Sequence, residues 1–185
     1  MESDEALFRR FLSGDEDGLR TLMERYGDSL TLYLGGFLHD IHDAEDLMIE
    51  AFARVAHARP NLLEGSFRAY LYKTARNLAR RFYARRLRAA VFSLEALERE
   101  PESEALLEAA VVRREQQNIL RLCMGRLEPD LREALWLVYF EGMSYAESAR
   151  VLRKRPKQLD HLLQKAKRLL REELEKEGVT DAQYR

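Results

Sequence analysis

The chain is poor in the residues that interrupt helices, with nine glycines and four prolines among 185 residues. Strand-like alternation of polar and apolar positions is nearly absent too, and apolar residues recur at spacings of three and four. That spacing lines one face of a 3.6-residue helix, so the expected fold class is all-α. Cysteine is scarcer still. The single Cys123 excludes an internal disulfide and suits a reducing compartment, and its place in an apolar stripe marks it as a small core residue rather than a nucleophile. No apolar run approaches the ~20 residues that a helix needs to span a bilayer, and the acidic N-terminus lacks a signal-peptide pattern. These absences lead to the expectation of a soluble, cytoplasmic protein without membrane insertion. A hydrophobic content of 46% is enough for packed cores in one or two small domains.

Net charge is also small, at a formal -1, but the charge is segregated. Residues 65–94 hold eight Arg or Lys and no acid, and residues 150–171 hold nine against the lone Asp160. Clustered cations gain affinity for a phosphate backbone because each contact releases condensed counterions. Two surfaces are therefore expected to meet nucleic acid, leaving the acidic remainder for protein contact.

Capping residues and apolar stripes divide the chain. Ser3 is expected to cap a helix carrying Leu7, Phe8 and Phe11 that stops near Gly14, and a longer helix follows Asp17. Asp43 is expected to cap the next, whose stripe is Ala44, Leu47, Met48, Ala51, Phe52 and Val55. Pro60 and Gly65 bracket a loop, and a basic helix runs from Ser66 to about Arg88 with Phe67, Leu71, Thr74, Leu78 and Phe82 inward. Glutamates 95, 98, 100, 102, 104 and 108 around Pro101 read as an acidic linker. Beyond it, Pro129 opens a helix with Leu131, Ala134, Leu135 and Val138 on one stripe, ended by Gly142. Ser144 and Glu147 have capping-box spacing, and Pro156 starts a final helix burying Leu159, Leu162, Leu163, Ala166, Leu169 and Leu170. The expected architecture is two small helical domains, residues 1–90 and 113–176, joined by the acidic linker 91–112 and followed by a tail, 177–185. A short turn before a basic second helix makes the second domain a helix-turn-helix.

In such a unit the second helix enters the major groove and its first outward residues touch base edges. Here these are Lys157, Gln158 and His161, with Lys154, Arg155 and Lys165 in reach of phosphates. Gln pairs with adenine and Lys with guanine, so base reading is chemically possible. A solvated basic face is the bland alternative, and the short turn with its capping box favours DNA. In the earlier basic helix, Lys73, Arg76, Asn77 and Arg80 form one stripe interleaved with Tyr70, Tyr72 and Tyr83. Rings beside cations suit unpaired bases, since any base stacks on a ring while the cations hold its backbone. Half-buried tyrosines with wet hydroxyls are the competing reading. No enzyme site emerges, and neither cofactor nor metal is expected. His39 and His42 have ligand-like spacing without a completing pair, and Asp43, Glu45, Asp46 and Glu50 are explained by capping and solvation.

The runs DAEDLMIEAFARVA (43–56), FRAYLYKTARNLARR (67–81) and EGMSYAESARVL (141–152) together resemble bacterial sigma factors, specifically the short extracytoplasmic-function (ECF) type that keeps regions 2 and 4 of the sigma-70 family. The resemblance implies a promoter-specificity subunit without catalysis of its own. It implies partners as well: core RNA polymerase at its clamp helices and flap, promoter DNA, and an anti-sigma factor. Carried over by position, it gives Asp46, Glu50 and Arg54 the polymerase contact. Asn61, Phe67, Tyr70, Lys73, Arg76, Asn77 and Arg80 would lie along the melted -10 strand, beside a loop pocket for a flipped base. Lys154, Arg155, Lys157, Gln158, His161 and Lys165 would meet the -35 element. Departures from the family pattern include Ile49 for a common Gln, Tyr70 for a Trp, and Arg153-Lys154-Arg155 where the turn usually supplies a serine cap. A sigma-like DNA-binding regulator or decoy without initiation activity is the alternative. Replacing Lys157 or Gln158 by Ala is expected to change -35 preference, and replacing Arg86 to weaken all promoters alike, as read by selection from a randomised promoter library.

Overall fold

In the computed structural model, residues 2–38, 40–92 and 111–179 are described, and all elements among them are helical. His39, residues 93–110 of the expected linker and residues 180–185 of the tail lie outside the described residues. The chain divides into two compact units, Met1–Pro101 and Glu102–Arg185.

Unit 1 holds α1 (Asp4–Leu12), α2 (Glu16–Leu38), α3 (Ile41–Ala58) and α4 (Phe67–Phe92). Ser3 caps α1 as expected, accepting from the Ala6 N–H. The next two starts differ from expectation. Asp15 accepts from the Asp17 N–H at 3.1 Å, so α2 opens ahead of Asp17. Asp40, extended at φ -134°, caps α3 through the His42 and Asp43 N–H groups, which leaves Asp43 inside the first turn, where it pairs with Arg86 of α4 at 3.0 Å. The core is built from Leu7 and Phe8, Leu22, Leu30, Tyr33 and Leu34, Ala51, Phe52 and Val55, and Phe67, Leu71, Tyr72 and Ala75, one apolar face from each helix. Helices α1 and α2 approach so closely that a Cβ at Gly18 would press into the Leu7 carbonyl oxygen and sit 3.0 Å from the Phe11 nitrogen. Backbone atoms cannot swing aside as a flexible side chain does.

Unit 2 holds α5 (Val111–Arg126), α6 (Pro129–Leu135), α7 (Tyr145–Leu152) and α8 (Pro156–Lys176). Between α6 and α7 the chain makes a π turn, Trp136–Phe140, closed by the Glu141 N–H donating to the Trp136 carbonyl at 3.0 Å. Within this turn Leu137 is fully buried, whereas Val138, which the stripe predicted, is only half-buried. Trp136 and Phe140 stack at 4.7 Å, and the Trp136 indole N–H donates to Glu141 at 2.9 Å. From α8, Leu159, Leu163 and Ala166 are buried, whereas Leu162, Leu169 and Leu170 reach only half-burial. Burial pushes the Cys123 thiol above its ordinary value, which suits a core residue and not a thiolate nucleophile.

Gly18→Ala is expected to destabilise unit 1 by about 1–3 kcal/mol through overpacking. A urea titration followed by helical circular dichroism checks this, with Gly35→Ala, where an added Cβ meets nothing, as the control.

Candidate nucleic-acid interface

Helix α4 carries two kinds of residue on opposite faces. Phe67, Leu71, Tyr72, Ala75, Leu78 and Ala79 are buried. Around the other face run Tyr70, Lys73 and Asn77, each half-exposed, then Arg80, fully exposed. These four of the expected strand-contacting residues share one stripe. Two others do not join it. The Phe67 ring is 0% exposed, packed 5.4 Å from Phe8 and 6.2 Å from Tyr26. Arg76 is 4% exposed on the inner side. Neither is placed to touch a nucleic acid, because the apolar packing of α4 rotates both positions toward the core. Tyr72 is corrected likewise: it is a core ring 5.2 Å from Tyr33, with its hydroxyl 2.9 Å from Ser29. Tyr83 stays exposed.

The loop between α3 and α4 is held from a distance. Glu5 of α1 is 4% exposed, and its Oε1 accepts from the Ser66 and Phe67 N–H groups, both at 2.8 Å. A carboxylate at the start of α4 satisfies donors that the helix itself cannot and meets the positive end of its dipole. Burial pushes the Glu5 carboxyl up, but the N–H donors of Phe67, Gly65 and Ser66 outweigh that, and the group ends below its ordinary value. Nearby, burial and then the hydrogen bond to Asp4 push the Tyr26 hydroxyl up, and Asp4 also pairs with Arg25. Asn61 stands exposed in the loop.

Toward its C-terminal half, α4 and α3 form an open groove of about 480 Å³ lined by Arg54, Arg80, Arg81, Arg85 and Arg88. Sequence reading passed over this cluster because Arg54 belongs to a different helix. On the exposed face of α3, Asp46 and Ile49 are open to solvent, and Arg54 donates twice to the half-exposed Glu50, at 2.9 and 2.6 Å. An exposed pair one helical turn apart contributes only about 0.3–0.5 kcal/mol, so a protein partner can compete for either side chain.

In unit 2 the helix-turn-helix takes its expected form. The Ser144–Glu147 capping box is complete, with the Ser144 N–H donating to Glu147 at 2.9 Å and the Glu147 N–H to the Ser144 hydroxyl at 3.3 Å. Arg153, at φ 55°, turns the chain, and the Lys154 N–H reaches back to the Ala149 carbonyl at 2.9 Å. No serine caps α8. Instead the Gln158 side chain accepts from the Arg155 N–H at 2.8 Å, which replaces half of the lost cap. Lys157, Gln158 and His161 are exposed on the first turns of α8, as is Arg155 just before them. Lys154 pairs with Asp130 and Lys165 with Glu128, both at 3.2 Å, so these two cations must give up a carboxylate to meet a phosphate.

Comparison with known proteins decides between the readings. The description Sigma-70 region 2 matches residues 22–89, and Sigma-70, region 4 matches residues 117–170. The chain belongs to the sigma-70 family. It is 29% identical over 163 residues to the RNA polymerase sigma-H factor of Pseudomonas aeruginosa, covering 82% of this chain and 83% of that one. It is 31% identical over 167 residues to the ECF RNA polymerase sigma factor BldN of Streptomyces coelicolor, covering 89% of this chain and 63% of BldN. In fold it is similar to the sigma factor RpoE of Bartonella quintana, solved in complex with the anti-sigma factor NepR, with a TM-score of 0.67 at 19% identity over 86% of this chain and 98% of that one. The ECF assignment follows, and the regulator-or-decoy alternative is not favoured. In this sigma factor, region 2 thus includes α4 as far as residue 89 of the chain, and region 4 includes the whole of α7 with most of α8. Among the described residues no helix is long and apolar enough to cross a membrane, and no cluster of His, Cys, Asp or Glu could hold a metal.

Glu5 lies outside both matched regions, and sequence reading missed its role because its partners lie 61 and 62 residues away. Its folded carboxyl is held below the ordinary value of an unfolded glutamate, which is about 4.3. The ionised form therefore adds stability above that value, and the gain disappears as pH falls through the folded value. Wild-type unfolding midpoints are expected to drop more between neutral pH and ~3 than those of Glu5→Gln, which cannot titrate there, with most of the difference arising below ~4.3. Parallel midpoint curves would refute this.

Proposed function

We propose that unit 1 of this sigma factor holds core RNA polymerase on the open face of α3 and the separated -10 strand along α4, while unit 2 places α8 in the major groove of the -35 element. On this reading Asp46, Glu50 and Arg54 meet the polymerase. Asn61, Tyr70, Lys73, Asn77 and Arg80 line the strand. Lys157, Gln158 and His161 read base edges, and Lys154, Arg155 and Lys165 hold phosphates. The protein acts in the cytoplasm, with the polymerase. An anti-sigma factor that covers these faces is its regulator, by analogy with RpoE and NepR.

The observation that carries this reading is a difference between the two cationic helices. On α4 the half-exposed Lys73 and Asn77 and the exposed Arg80 share a stripe with the Tyr70 ring. Helix α8 has no Phe, Tyr or Trp along its whole length. Broad aromatic rings serve unstacked bases, and a polar face without Phe, Tyr or Trp serves the edges of stacked ones. On this reading promoter choice rests on binding energy.

The test is run-off transcription by core polymerase with this protein over a genomic promoter library. Discrete start sites that are absent with core alone are the expected result, and none would sink the proposal. Tyr70→Ala is expected to reduce transcription about tenfold on duplex promoters and far less on templates premelted across the -10 element. Equal loss on both would remove Tyr70 from strand separation.

A further inference from the structure

The loop that joins α3 to α4 exposes Leu63 at 82%, more than any other large hydrophobic among the described residues. An isolated exposed leucine is unremarkable in itself. This one is held in place. The Leu63 carbonyl accepts both the Ser66 N–H, at 3.1 Å, and the Ser66 hydroxyl, at 2.5 Å. That same Ser66 N–H, with the N–H of Phe67, also points into the Glu5 carboxylate at 2.8 Å. The Phe67 ring is clasped by Phe8 of α1, so α1 grips this corner by a charge and by a ring. The Ser66 carbonyl then accepts the Tyr70 N–H at 3.0 Å, which ties the strand-facing Tyr70 to the same anchor.

We propose that Glu5 is a positioning residue for promoter opening: from its buried site on α1 it fixes Ser66, and through Ser66 it aims Leu63 as an apolar wedge against one base of the separated -10 strand. The inference rests on the assignment of α4 to that strand. Apolar side chains pressed between bases offset the cost of unstacking only when they stand still at the right place. A leucine on a loose loop would lose in ordering what it gains in contact. Glu5 never touches DNA, so its influence is felt at one base and not along the whole backbone.

The experiment uses holoenzyme, core polymerase with this protein, on the non-template -10 oligonucleotide of a promoter found by run-off transcription. A single abasic site is moved along the oligonucleotide, and affinity is read by fluorescence anisotropy. Wild type is expected to show one position where the missing base costs about tenfold through its contact with Leu63. Leu63→Ser, on an open surface, should abolish the penalty at that position and leave the others intact. Glu5→Ala should do the same, and Glu5→Gln, which keeps an accepting oxygen, should restore it. If Glu5→Ala does not fold, Glu5→Asp, one methylene short, takes its place in the scan. An unchanged scan for Leu63→Ser, or a uniform loss at every position for the folded Glu5 variant, overturns the proposal. Failure of wild-type holoenzyme to bind any such strand would overturn the assignment of α4 as well, whereas wild-type binding with an unaltered variant scan sinks the wedge alone.

Discussion

Packing of one side of α4 against α2 and α3 decides which of its cations remain for a nucleic acid. The helix has eight Arg or Lys along its length, but the buried series Phe67, Leu71, Ala75 and Leu78 fixes its rotation. Arg76 is drawn inside as a result, and Lys73, Asn77 and Arg80 are turned out. Hydrophobic burial is non-directional and large, whereas each surface charge contributes little. The core therefore chooses the face, and the charges act from wherever it leaves them. The same logic governs α8, where Leu159, Leu163 and Ala166 settle which side Lys157 and His161 present.

Charge segregation along a nearly neutral chain is managed differently in the two units. On α8 two of the cations already have carboxylate partners, Asp130 for Lys154 and Glu128 for Lys165. These two cations of region 4 thus have their own counterions, which lowers their attraction for a phosphate backbone. The arginines that line the groove between α3 and α4 include only one with a carboxylate partner among the described residues, Arg54 with Glu50. On the proposed function, unit 2 would grip phosphates less tightly than unit 1, and such salt-dependent binding carries no sequence information.

Much of the fold was legible because it is written in local patterns. Ser3, Ser144 with Glu147, and Pro156 announced helix starts that the structure keeps, and the three motifs of the sigma resemblance fell where the family descriptions match. What escaped had non-local or competing causes. Asp40 and Asp43 are both able caps, and only the backbone path from α2 selects the first. The π turn at Trp136–Phe140 departs from the fixed 3.6-residue period on which the stripe relied, and Leu137 is fully buried there while Val138 is not. Tyr72 looked like a stacking ring until its burial placed the hydroxyl against Ser29. Glu5 could not be foreseen at all, because Ser66 and Phe67 give no sign in sequence of needing a distant acceptor.

Arg59, at φ 43°, and Arg153, at φ 55°, are the non-glycine residues with left-handed backbone among those described. Each closes a helix immediately ahead of a segment assigned to DNA, the loop before α4 in one case and α8 in the other. Glycine adopts that conformation freely, while a side chain there costs roughly 1 kcal/mol. A glycine at either elbow would relieve that backbone cost but leave the unfolded chain more freedom to lose, so the two effects offset and arginine stands at both turns with little loss of stability.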